Sequence, residues 1–180
     1  SYHVPKHSRQ RTFLTLTKEK QVRCRECFGT WYEEHQQYIQ ALTAYRTSGD
    51  YDSLLRVMEK DAGILLSSLN PQTVLDTIAE CPVYTLKAHP LALLVLMRSM
   101  FNWRNIPKML ELKELLLTAI REQSELSPQE RGNLLGECDL IMSFLCYNDI
   151  SAMSRLHRSA SAQMSRPAIS IHKSGGWTFG

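Results

Sequence analysis

Residues 127–145 read SPQERGNLLGECDLIMSFL, and they decide the fold class. Ser127 can cap a helix, Pro128 suits the first helical position, and Glu130 stands where it can reach back to complete a capping box. From there Leu134, Leu135, Cys138, Ile141, Met142 and Leu145 recur at helical spacing and form a wide apolar face. A start signal followed by this period predicts a helix that must be covered on one side.

The same grammar extends in both directions. Asn148-Asp149 predicts a turn into a last helix through Met153, Leu156, His157 and Ala160, and Arg166-Pro167 predicts its end. Upstream, Met109, Leu112, Leu116 and Ile120 share a face, and Asn102 to Asn105 make the turn before them. His89-Pro90 opens a helix whose residues Leu91, Leu94, Val95, Met97, Arg98 and Phe101 leave it apolar almost all round, which predicts a place at the centre of the packing. Asn70-Pro71 opens a shorter helix through Ala79 that Pro82 stops. Tyr51, Leu54, Leu55 and Met58 mark another, preceded by Ser48-Gly49-Asp50, where Gly49 suits a left-handed helix end. Before it come stripes at Tyr38, Ala41, Leu42 and Tyr45, and at Val22, Cys27, Phe28, Trp31 and Tyr32, with Thr17 as N-cap. No strand pattern competes. Short turns between these helices predict an all-α fold of antiparallel helix pairs, each hiding one face by stacking on the next as in an α-solenoid.

Composition bounds what such a chain can do. With 43% hydrophobic and 22% charged residues, the 180-residue chain has the makings of a core. Its net charge of +3 hides basic ends: residues 1–30 carry seven basic and two acidic side chains, and residues 151–180 four basic and none acidic. Such ends can meet phosphate or an acidic partner. Five cysteines at irregular spacing argue against a disulfide framework and for the cytoplasm. The longest apolar run, Leu91 to Met97, falls far short of the roughly 18 residues that span a bilayer, so no membrane role is expected.

Motifs that carry chemistry are missing from the pattern. Cys24 and Cys27 form one C-x-x-C within a helical stripe, without the second pair that a structural zinc site needs. The six histidines include no H-E-x-x-H, and no serine sits in a G-x-S-x-G elbow. Glu33 and Glu34 are adjacent, so they point apart on a helix. The reading is therefore of a non-enzyme with no catalytic, cofactor or metal residues. Binding is what remains. A concave helical groove has candidate liners in Trp31, Tyr45, Tyr51, Trp103, Tyr147 and Trp177. Arg104 beside Trp103, and Arg155 and Arg158 sharing a helix face, complete the expected contact set of Trp103, Arg104, Tyr147, Arg155, Arg158 and Trp177.

The stretch Ala41 to Leu54, with Tyr45 and then Gly49-Asp50-Tyr51, resembles the helix-turn-helix junction of a tetratricopeptide repeat. The run LSPQERGNLLGECDLIMSFLCYNDISAMSRLHRSASAQMSRPAISI followed by GGWTFG resembles the helical effector-sensing region of MalT-like, LuxR-type bacterial transcription regulators. WYEEHQQYIQALTAYRTSGDYDSLLRVMEK is similar to the stretch where such a regulator's winged-helix arm meets its superhelix, and HPLALL to the opening of the first long helical pair. The resemblance implies a tetratricopeptide-like right-handed superhelix, with residues 1–16 a basic lead at the end of the arm, 17–165 the helical-repeat domain, and 166–180 an extended aromatic tail leading into further chain. It implies an unknown small-molecule effector or protein partner, and contacts with other modules of the same regulator. ATP would bind only in an upstream module, since no G-x-x-x-x-G-K-[ST] occurs here, and DNA only through a C-terminal helix-turn-helix beyond residue 180. The alternative reading is a free-standing helical-repeat adaptor that grips a partner peptide or helix.

Overall fold

The computed structural model describes residues 27–60, 68–146, 149–166 and 168–169. All regular structure among them is helical, as expected, and none of those helices is long and apolar enough to cross a membrane. The chain divides into two compact units, Ser1–Val57 and Met58–Gly180. The basic lead, the Thr17 cap and the tail from residue 170 lie outside the described residues.

The N-terminal unit contains α1 (described over 27–34), α2 (Tyr38–Ser48) and most of α3 (Tyr51–Lys60). Ala41, Leu42, Tyr45, Leu54, Leu55 and Val57 are buried. Tyr45 belongs to this core and lines no groove, which corrects its place among the candidate contact aromatics. Its hydroxyl donates to Glu33 Oε1 at 2.9 Å, and Arg56 grips the same carboxylate with two guanidinium nitrogens at 2.6 and 2.9 Å. Burial first, then the Glu33 carboxylate, holds the Tyr45 phenol above its ordinary range, while the bond to Glu33 raises Arg56. Gly29 leaves room for the tyrosine ring, since a Cβ there would sit 2.5 Å from Cε1.

Two junctions in this unit and one in the next share a single geometry. At each, one residue adopts the left-handed conformation, and it and its successor donate backbone N–H bonds into the last turn of the preceding helix. Gln36 (φ 58°) and Gln37 bond to Glu33 O and Tyr32 O. Gly49 (φ 78°) and Asp50 bond to Arg46 O and Tyr45 O, and Arg104 (φ 60°) and Asn105 bond to Phe101 O and Met100 O. This paired capping satisfies carbonyls that a helix end leaves orphaned. The second residue of each pair then stands at the N-cap of the next helix. Asp50 Oδ1 accepts from Ser53 N at 3.1 Å and Asn105 Oδ1 from Lys108 N at 3.3 Å, whereas Gln37 makes no side-chain cap bond. Four residues after each N-cap the chain is buried, at Ala41, Leu54 and Met109.

The C-terminal unit holds α4 (Pro71–Glu80), α5 (Val83–Lys87), α6 (Pro90–Asn102), α7 (Ile106–Glu122), α8 (Pro128–Ser143), a 3-10 turn (Phe144–Cys146) and α9 (Ile150–Gln163). Asn70 caps α4 as expected, accepting from Gln72 N at 2.8 Å, and Ser127 and Glu130 form the full capping box of α8. The five-residue α5 went unforeseen, being too short to display a period. α6 takes the central place read from its sequence: Ala92 through Met100 are all buried, and α5, α7 and α8 pack against it. His89 occupies the N-cap of α6 without capping through its side chain, and its Nδ1 instead meets Glu59 Oε1 at 3.1 Å. The short 103–105 link sends α7 back along α6, with Met109, Leu112, Leu116, Ala119 and Ile120 buried.

Two of the three junctions place a residue with a side chain, Gln36 and Arg104, where the third has glycine. For a residue with a Cβ this conformation costs roughly 1–2 kcal/mol, part of which glycine returns through its freer unfolded chain. Arg104→Gly is expected to stabilise the protein by about 0.5 kcal/mol in urea unfolding, and a net loss would show that the arginine side chain holds the turn.

Candidate functional site

The last helix pair is built for close approach. Gly132 and Gly136 stand one turn apart on α8, opposite the end of α9. A Cβ on Gly132 would overlap the Gln163 carbonyl oxygen, and one on Gly136 would overlap the Met164 side chain with the Ala160 carbonyl oxygen 3.0 Å away. Ala160 is fully buried at this contact. Polar bonds fix the register beside it: Asp139 Oδ2 accepts from Ser159 Oγ at 2.7 Å and from Gln163 Nε2 at 2.9 Å. Nearer the other end Ser143 Oγ donates to Leu140 O at 2.5 Å and lies 2.9 Å from His157 Nε2. With the serine proton committed to the carbonyl, the histidine nitrogen is the donor.

Anchoring one face of α9 leaves the opposite face to solvent. Arg155, Arg158, Ser151 and Ser154 are exposed there, and Ile150 at the start of the helix is 81% exposed. With His157 they line an open depression of about 670 Å³ whose walls carry no carboxylate. Two guanidinium forks, hydroxyls and an apolar edge suit an anionic group attached to an apolar body, such as a carboxylate or phosphate on an effector or an acidic segment of a partner. The N-terminal end of α8 has the opposite character, with Glu122, Glu125 and Glu130 around a second depression. The two depressions share no lining residue.

Arg155 and Arg158 line one depression, while Trp103 and Arg104 lie in the α6–α7 turn, Trp103 half-buried and Arg104 exposed. Phe101 and Phe144, with ring centroids 5.4 Å apart, hold that turn and the α8–α9 link at one end of the unit. Tyr147 and Trp177 lie outside the described residues. Trp31 is 44% exposed and stacks on His35 with centroids 4.0 Å apart, and Tyr51 is half-buried. Sequence reasoning missed Ile150, Ser151 and Ser154, although Ser151, Ser154, Arg155 and Arg158 recur at helical spacing. It also missed the G-x-x-x-G of residues 132–136 that commits the other face of the pair.

Cys27 is exposed and Cys24 lies outside the described residues, so the C-x-x-C has one described member. Among the described residues no cluster of His, Cys, Asp or Glu could hold a metal ion. Burial pushes the Cys81 and Cys138 thiols up to about 11, with Asp139 adding to the shift at Cys138.

Comparison with protein-family models, with curated proteins and with solved structures finds no match to this chain.

Two measurements probe this part of the molecule. Gly132→Ala should lower the melting temperature even though alanine is intrinsically the better helix former by roughly 1 kcal/mol, because the added methyl meets backbone; a stabilised variant would mean that α9 does not approach so closely. In labelling at pH 8 followed by mass mapping, Cys81 and Cys138 should react well after Cys27, since a thiol with a pKa of about 11 is ionised in only about one molecule in a thousand there.

Proposed function

We propose that this chain is the arm-to-sensor portion of a MalT-like, LuxR-type transcription regulator, and that its work is binding and relay, not catalysis. Its helix pairs would stack as a tetratricopeptide-like right-handed superhelix in the cytoplasm. An effector or partner bound on the helical surface would be felt by an upstream nucleotide-binding module and a downstream DNA-binding module. The mechanism is a population shift: ligand favours whichever packing of the helices it binds better.

The observation that carries this reading is the recurring junction at 36–37, 49–50 and 104–105, with the same pair of backbone bonds at all three. One supersecondary device used repeatedly is how helical-repeat proteins are built. The resemblance of residues 31–60 and 126–180 to the arm and sensor of such regulators adds the functional content. Within the surface, the cationic depression of Arg155 and Arg158 beside Ile150 is the favoured contact for an anionic ligand.

The same depression favours the second reading, a free-standing helical adaptor that grips an acidic segment of a partner, because it is open and sets two guanidinium groups beside the apolar Ile150. The coding sequence on either side separates the two. The regulator reading expects a G-x-x-x-x-G-K-[ST] loop upstream and a helix-turn-helix downstream. A gene that contains neither would overturn it and leave the adaptor.

A further inference from the structure

α9 ends at Gln163, three residues before the Arg166-Pro167 stop that its sequence signals, and the chain then turns back along α8. Met164 is extended (φ −86°, ψ 136°). Ser165 meets α8 at Asn133: its backbone N–H donates to Asn133 Oδ1 at 2.6 Å, and its hydroxyl oxygen takes bonds from Asn133 Nδ2 at 3.0 Å and Gln129 Nε2 at 2.9 Å. Arg166 Nη1 donates to Glu137 Oε1 at 2.8 Å, and the Ile169 backbone N–H donates to the same oxygen. Gln129, Asn133 and Glu137 are spaced four apart, so they form one line up the helix. Asn133 is buried and Glu137 completely so, while Arg166 keeps about a third of its side chain in water and Ile169 is 39% exposed.

Two features set this contact apart from ordinary packing. Recognition runs through two backbone amides four residues apart and one arginine, which is how a helix or groove reads an extended peptide and not how a core is filled. The buried acceptors Asn133 and Glu137 belong to α8, and the more exposed donors belong to the returning segment. Acceptors of this kind are costly to leave dry and unpaired, which favours an extended chain on this line.

We propose that the Gln129–Asn133–Glu137 line is a peptide-docking site for an extended segment carrying a small hydroxylated residue followed by arginine, and that the chain's own Ser165, Arg166 and Ile169 are its resident occupant, held there as a latch. The inference stands equally for a regulator fragment and for a free-standing adaptor.

The latch can be opened without touching α8. Ser165→Pro removes the amide donor and the hydroxyl, and the extended Met164 is the conformation that a following proline favours. Arg166→Ala removes the ion pair. A fluorescent peptide with the sequence of residues 164–171, MSRPAISI, is titrated against the full chain by anisotropy. It should bind the Ser165→Pro/Arg166→Ala protein at least tenfold more tightly than the wild type, whose site is occupied. Adding Asn133→Ala and Glu137→Ala to the opened protein should abolish that binding. Equal affinity for wild type and opened protein, or no binding to either, overturns the proposal. That comparison stands on its own if the α8 variant fails to fold.

Discussion

Nine consecutive residues of α6, Ala92 to Met100, are withdrawn from water on every side of the helix, and the C-terminal unit is arranged around that constraint. An ordinary amphipathic helix needs one neighbour, whereas one buried all round needs cover from several directions. α5, α7 and α8 supply it. The burial is so complete that Ser99 satisfies its hydroxyl within the helix, donating to Val95 O at 3.1 Å, and desolvation pushes the Arg98 guanidinium below its ordinary value. Once α6 is enclosed, α8 is held by it on one side and is free to receive α9 and the returning segment on others. The outer layer of the unit thus depends on the inner one.

Helix ends were the most legible part of the sequence, because each rests on one or two side chains with a specific job. Ser127 with Glu130, Asn70 with Pro71, and Gly49 all do what their residue types dictate. Buried stripes were legible for the same reason: Met109, Leu112, Leu116 and Ile120 share a face by spacing alone, and all four are buried. The left-handed residues Gln36 and Arg104 were not legible, since nothing in a glutamine or an arginine announces a positive φ. There the hydrogen bonds of the turn decide, and tertiary packing overrides local preference. The sequence shows a wide apolar face on α8, yet Asn133, Gly136 and Glu137 are buried beside Leu134, Cys138 and Ile141. The partners of Asn133 and Glu137 lie about thirty residues downstream, a distance over which spacing rules are silent.

The candidate surface divides in the same way. Arg155 and Arg158 could be placed on one face from their spacing, and they are. What could not be read was which face of α9 would be free. That depended on the glycines of α8 and on the Ser143, Asp139 and Ala160 contacts, which together assign the inner side. Charge is also distributed in a way that totals conceal. A cationic depression beside α9 and an acidic one around Glu122, Glu125 and Glu130 give the unit a polarity along α8 that a net charge of +3 does not suggest.

The glycine contact between α8 and α9 has a consequence for how this helix pair can change over evolutionary time. Where Gly132 faces the Gln163 carbonyl there is no volume for any larger residue, and Ala160 opposite Gly136 has scarcely more. Drift on that side of α9 is therefore frozen by geometry. On the other side, Ser151, Ser154, Arg155 and Arg158 carry almost no packing obligation and can be exchanged at little cost to stability. One helix thus combines a seam that cannot vary with a face that can, and new binding preferences can be explored there without risking the fold.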